Sequence, residues 1–266
     1  MCRWLAYSGE AIFLEELISA PTQSLIAQSR HALEAKTDFN ADGFGIGWYG
    51  ERPEPGRFRD VLPAWSDENL TGLIRQLRAR LFLAHVRAST GAATSRQNCH
   101  PFAHGRWLFV HNGQIGEYQS LRRALESRLP DELYQAREGT TDSELIFLTM
   151  LAEGLEDRPL EAAEAATGQI LARMTKLKGS FALRLTLAFT DGDTLYALRY
   201  ASDAYAPSLY WRRTGPGGLC LASEPLDDTE SGWQAVPTNT FLTVRDGQAV
   251  TRPFQPALAA DRALAS

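Results

Sequence analysis

The 266-residue chain is short of the features that identify a protein at sight. Its three cysteines, Cys2, Cys99 and Cys220, are odd in number and far apart, which excludes a disulfide framework. There is no basic excess: 27 Lys and Arg stand against 32 Asp and Glu, a net charge of −5. Nucleic-acid binders usually present a basic face, so that class is set aside. The clusters Arg75–Arg80 and Arg122–Arg123 fall in helical patterns and read as solvated faces. No run approaches the roughly 18 uninterrupted apolar residues of a membrane span. Near the N-terminus only Arg3 is basic, and the apolar run AIFLEELISA is broken by Glu15 and Glu16, which is no secretory signal. Neither CxxC nor HExxH occurs, and GFGIG at 43–47 is neither GxGxxG nor followed by a helix pattern. Internal repeats and low-complexity linkers are missing. The expectation is a cytoplasmic globular protein with no membrane or nucleic-acid partner, no metal and no cofactor.

What the chain does contain is a core and a change of period. Apolar residues make up 44% and charged residues 22%, near globular averages. CRWLAY reads as a strand, and Ala11–Ser19 as a helix that Pro21 stops. In DGFGIGWYG (42–50), glycine alternates with bulky apolar residues, the mark of a strand whose backbone something approaches closely. Leu70, Leu73, Ile74, Leu77 and Leu81 predict an amphipathic helix over Asp67–Arg80. LFLAHVRA and RWLFVHNG are core strands, and a helix follows over Tyr118–Arg128. Thr141 and Glu144 fit a capping box for the next helix, and a third spans Leu160–Leu177. From Phe181 the period is two, with turns at Asp191-Gly192 and Asp246-Gly247 and further strands at SLYWRR, GLCLAS and TFLTVRD. The alanine-rich tail after Pro256 reads as a loosely held helix. Strands, then helices, then strands do not make a doubly wound sheet. Two mainly antiparallel sheets covered by helices fit the order better.

Five places can carry chemistry, each with an ordinary reading beside the functional one. Cys2 is either a small buried hydrophobe or, once Met1 is trimmed, a thiol whose own α-amine, with a reference pKa of about 7.7–8.0, serves as base. His85 and Arg87 in LAHVRAST lie two apart, on one side of a strand. Arg87 is then a structural ion-pair partner or a clamp for a substrate carboxylate. In FVHNGQIG, Asn112-Gly113 is a strand-end turn or a pair of oxyanion donors. Asp142 in GTTDSE favours the helix dipole or receives a substrate ammonium. Cys99, His100 and His104 in NCHPFAH, with His111 nearby, fit no standard zinc spacing.

The order of these motifs is more telling than any one of them. MC, DGFGIGWY, HVRAST, NCHPF, HNG, TDSE and ASEPLD (222–227) together resemble the class II glutamine amidotransferases. The likeness is greatest to the stand-alone members related to ergothioneine-pathway γ-glutamyl hydrolases and to glutathione-degrading amidotransferase-like peptidases. The motifs run from Cys2 to about Trp233. The resemblance implies the α-β-β-α sandwich of N-terminal-nucleophile hydrolases, one domain over 2–255 with Met1 removed, and a tail over 256–266. It implies Cys2 as nucleophile, Asn112 and Gly113 as oxyanion hole, Arg87 and Thr90 at the substrate α-carboxylate, and Asp142 at the α-ammonium. The reaction implied is cleavage of a γ-glutamyl amide through a Cys2 thioester. With no acceptor domain expected in cis, the product is glutamate with ammonia or an amine, or ammonia delivered to a separate synthase subunit. A catalytically silent binding module on the same fold is the non-enzymatic alternative. Several relatives carry tryptophan and alanine after the arginine where this chain has Ala88 and Ser89, which implies a different pocket wall.

Overall fold

The computed structural model describes residues 2–34, 39–89, 93–215, 217–227 and 232–257. Two antiparallel sheets lie face to face. The first is built, in spatial order, from β11 (Gln234–Ala235), β9 (Tyr210–Thr214), β10 (Gly218–Ala222), β1 (Arg3–Phe13), β4 (Arg78–Val86), β2 (Phe44–Trp48) and β3 (Gly56–Asp60). The second runs β13 (Gln248–Pro253), β12 (Thr240–Arg245), β8 (Leu195–Ala201), β7 (Leu183–Thr190), β6 (Trp107–Ile115) and β5 (Phe102–His104). Helices α1 (Glu15–Ile18), α2 (Leu25–Arg30) and α3 (Glu68–Gln76) cover the first sheet. Helices α4 (Tyr118–Glu126), α5 (Asp131–Gln135), α6 (Asp142–Ala152) and α7 (Pro159–Met174) cover the second.

Strand alternation divides the core into three layers. Leu5, Tyr7, Phe82, Ala84 and Val86 pack outward against Leu17, Leu70 and Ile74 of the helices. Trp4, Ala6, Leu81 and Leu83 turn inward onto Leu108, Val110, Ala188 and Leu242 of the second sheet. Phe109, Leu185, Leu187 and Phe189 face Leu145, Phe147 and Ile170. The expected four-layer α-β-β-α sandwich of α+β class is the architecture found. The Trp4 indole donates to the Thr186 carbonyl (3.1 Å), tying the two sheets at their centre.

Several boundaries differ from the expectations, each for a physical reason. The helix expected over Ala11–Ser19 is largely strand: β1 bulges after Ser8 and then pairs Ile12 with Ala79 and Phe13 with Arg78, leaving only Glu15–Ile18 helical. The helix expected to reach Arg80 stops at Gln76 because Leu77 is extended, and its carbonyl accepts from Leu14. Leu81 therefore belongs to a strand face, and Arg78 and Arg80 lie on β4. The third helix ends at Met174 rather than Leu177. Thr141 does cap α6, accepting from the Glu144 amide at 3.2 Å. The box is not reciprocal, since the Glu144 carboxylate accepts from the amides of Glu138 and Gly139 instead. In the expected tail helix, residues 258–266 lie outside the described residues.

The glycines of DGFGIGW do admit a close neighbour. A Cβ on Gly45 would run into the His100 carbonyl, and one on Gly47 would meet Leu108 and Pro101. Gly45→Ala is expected to lose about 1–3 kcal/mol through overpacking, read as a lower urea midpoint. An unchanged midpoint would contradict this account of the contact.

Candidate active site

The site forms at one end of the layer between the sheets. The register Arg3–Val86 and Trp4–His85 carries Cys2 alongside the residues that follow β4. There the Cys2 sulfur accepts from the Ala88 amide (3.4 Å) and donates to the Ala88 carbonyl (3.5 Å). Its side chain is only partly exposed. Burial raises the thiol pKa; the Ala88 amide and the Arg87 guanidinium pull it back, and the Asp142 carboxylate raises it. The guanidinium and the carboxylate thus both lie within electrostatic reach of the sulfur, although all three are far apart in sequence.

Arg87 leaves β4 just past its last residue, held by Arg87 N to Gly43 O (2.8 Å) and Asp42 N to Arg87 O (3.0 Å). Its side chain is 4% exposed. The guanidinium donates to the carbonyls of Asp42 and Ala93 and to Ser89 Oγ, all at 3.2–3.3 Å. The Asp42 carboxylate accepts from the Ser89 amide at 2.7 Å. Thr90 lies outside the described residues.

Asp142 is the first residue of α6. One carboxylate oxygen accepts from the Ile115 amide at the end of β6, and the other from the Ser143 amide, both at 2.9 Å.

Asn112 and Gly113 are not at a strand-end turn, as expected, but inside β6, paired with Thr186 and Leu185. β6 runs on to Ile115 because β7 is long enough to accompany it. Alternation turns Asn112 toward the layer between the sheets and His111 toward α6. The Asn112 side chain is 2% exposed, and its Nδ2 has no hydrogen-bond partner among the described residues. Buried amide donors are rarely left unused. Gly113 adopts φ +153°, and a Cβ there would strike the Arg184 carbonyl.

Three buried histidines stand behind the site. His85 and His100 stack with centroids 4.1 Å apart, and none of their ring nitrogens has a hydrogen bond among the described residues. Burial, then Arg87, depresses His85 to about 3. Burial, then His85, holds His100 well below its usual value. His111 is lowered by burial against the pull of Asp142. Its Nδ1 lies 2.9 Å from Ser143 Oγ and its Nε2 3.3 Å from the Arg184 carbonyl. A neutral ring so placed donates from Nε2 and accepts the Ser143 hydroxyl at Nδ1. Among the described residues, no group of three His, Cys, Asp or Glu is arranged to hold a metal ion. No described helix is long and apolar enough to cross a membrane.

This constellation can be set beside known proteins. Residues 17–216 match the family model for class II glutamine amidotransferases. The chain belongs to the class II glutamine amidotransferases. It is 31% identical to "Probable glutamine amidotransferase DUG3" of Saccharomyces cerevisiae, over 96% of this chain and 84% of that protein. It is 32% identical to the gamma-glutamyl-hercynylcysteine sulfoxide hydrolase of Mycolicibacterium smegmatis, over 96% of this chain and 100% of that one. A solved glutamine aminotransferase class-II domain protein from Silicibacter pomeroyi superposes with a TM-score of 0.76 at 40% identity, covering 96% and 99% of the two chains. The fold is that of the N-terminal-nucleophile hydrolases, and the chain is an enzyme of the amidohydrolase type.

In this amidotransferase the sequence reading overlooked Arg3, Glu224 and Asp42. Arg3 and Glu224 form a fully buried ion pair. The argument used for Arg87, that an arginine in an apolar strand needs an anion, applies equally to Arg3. It would have raised the question of a partner acid, which the structure supplies as Glu224 of ASEPLD. Asp42 stands next to Gly43, whose φ of +113° marked the turn as special.

The histidines make the site sensitive to pH. All three rings titrate lower folded than unfolded, so their contribution to stability is complete above about pH 6.5, the unfolded value. It is lost as pH falls toward the folded values, about 3 for His85. One such ring contributes a slope of up to about 1.4 kcal/mol per pH unit. Urea midpoints taken between about pH 7 and 5 are expected to fall, and to fall less steeply in His85→Phe. An equal slope in the variant would contradict the neutral buried ring.

Proposed function

We propose that this enzyme hydrolyses the γ-glutamyl amide of a small molecule through a thioester on Cys2, after removal of Met1. The observation that carries the reading is that three groups lie toward one end of the layer between the sheets. They are the Cys2 sulfur, the charges of Arg87 and Asp142 that each act on it, and the buried Asn112 amide, whose Nδ2 has no hydrogen-bond partner among the described residues. A γ-glutamyl group offers a matching set: an α-carboxylate for Arg87, an α-ammonium for Asp142 and a carbonyl oxygen for Asn112. The same reading gives Thr90 a share in receiving the α-carboxylate. The two sheets draw on residues 3–253, which supports treating 2–255 as one catalytic unit with a tail over 256–266.

The steps follow from those roles. The free α-amine of Cys2 takes the thiol proton as sulfur attacks the γ-carbonyl carbon. The oxyanion is received by Asn112 Nδ2 and the Gly113 amide. The ammonium then passes its proton to the leaving nitrogen, the C–N bond breaks, and an amine or ammonia departs. Water, deprotonated by the same amine, attacks the thioester carbon, releasing glutamate and restoring the thiol. The mycobacterial relative, named for a γ-glutamyl substrate, supports a γ-glutamyl conjugate rather than glutamine alone as the donor.

Hydrolysis of glutamine and of a γ-glutamyl anilide tests this directly. Cys2→Ala is expected to be inactive, and Asn112→Ala to lose about 100- to 1000-fold in kcat with little change in KM. Arg87→Met is expected to raise KM instead. Turnover by Cys2→Ala at the wild-type rate would overturn the proposal.

A further inference from the structure

We propose that Arg3 and Glu224 are positioning residues that hold the backbone of Cys2 in its attacking orientation. The proposal rests on Cys2 being the nucleophile. Arg3 points from β1 to the helix-covered face of the first sheet, opposite to Cys2 and Trp4. It is 1% exposed and Glu224 2%, with Nε 2.8 Å from Oε2. A buried pair of this kind is a poor source of stability, because desolvation can exceed the Coulombic gain. A pair so close to the nucleophile therefore calls for another reason.

The hydrogen bonds supply one. Arg3 Nη1 turns back along its own chain and donates to the Cys2 carbonyl at 3.0 Å. That carbonyl is one bond from the Cα carrying both the thiol arm and the α-amine. Fixing its peptide plane fixes the directions in which both groups leave the backbone. The sulfur's own contacts, at 3.4 and 3.5 Å to Ala88, are too weak to do this. Glu224 is itself held: its carboxylate also accepts from the Leu33 (2.8 Å) and Glu34 (3.1 Å) amides. Next to it, Ser223 and Trp4 exchange bonds, Ser223 N to Trp4 O and Trp4 N to Ser223 Oγ, both at 3.0 Å. Gln28 Nε2 bonds the carbonyls of Glu224 and Pro225. The segment after β10 is thus a rigid frame, and Arg3 is the arm that reaches from it to the nucleophile.

Removing one partner strands a buried charge and can unfold the chain, so Glu224→Gln alone is not decisive. The double variant Arg3→Met with Glu224→Leu removes both charges and keeps the volume. The loop amides of Leu33 and Glu34 are then free to turn to water. It is expected to melt within a few degrees of wild type and to keep the wild-type KM for glutamine, since Arg87 and Asp142 are untouched. Its kcat is expected to fall by about 100-fold, the scale of an ångström-sized misplacement. Inactivation of Cys2 by a diazo-ketone glutamine mimic should slow in parallel. A folded double variant with wild-type kcat would overturn the proposal, leaving the pair a structural element only. A double variant that does not fold would also overturn it, because the pair would then be needed for the fold itself. Failure of the underlying reading is separately visible: wild-type Cys2 would then resist the mimic, and the positioning role would fall with it.

Discussion

The pairing of β1 between β4 and β10 is the constraint on which the active site depends. Its register, Arg3 with Val86 and Trp4 with His85, decides which way every early side chain points. In this register Cys2 and Trp4 face the second sheet while Arg3 and Leu5 face the helices. A slip of one residue would exchange those faces, burying the thiol under α2 and pushing a guanidinium into the apolar layer. The register is protected from both sides. Trp4 is fully buried between the sheets and bonded to Thr186, and Arg3 has its carboxylate on the other face.

The same sandwich explains why polar groups collect at one end of an apolar layer. Leu81, Leu83, Leu108 and Val110 fill its middle. Continuing along the same strand faces, the period of two delivers His85 on β4 and Asn112 on β6. Asp142 arrives from a third direction, at the first turn of α6, and is anchored to the end of β6 through Ile115. Asn112 thus sits within a strand and Asp142 on a helix, while Cys2 stands one residue before β1. Such placement suits a site whose donors must already be aimed before charge develops. The neutral histidines behind it add no competing cation, and Asn112 Nδ2 has no hydrogen-bond partner among the described residues.

Much of the candidate site was legible in the sequence because its proposed residues sit in short motifs at or beside the ends of strands and at the start of α6. Cys2, Arg87, Asn112, Gly113 and Asp142 all lie where one short motif could be read without knowing the fold, and the Thr141 cap that starts α6 was readable too. What was not legible depended on partners distant in sequence. β1 outruns its apolar pattern because β4 accompanies it, and helix spacing in Leu70–Leu81 conceals the start of β4 because a leucine suits either face. Asn-Gly looked like a turn, since nothing local reveals that β7 extends to pair with it. Glu224 could be found only by asking what neutralises Arg3, a question about a contact across 221 residues.

The central claim is that the α-amine and thiol of one residue, Cys2, form the reactive centre. Intact-mass analysis of the purified protein, before and after a diazo-ketone glutamine mimic, tests it most directly. The account predicts a chain that begins at Cys2 and gains one adduct on that residue, with none in Cys2→Ala. A chain that begins at Cys2 and hydrolyses a γ-glutamyl amide, yet takes its adduct on another residue, would contradict it.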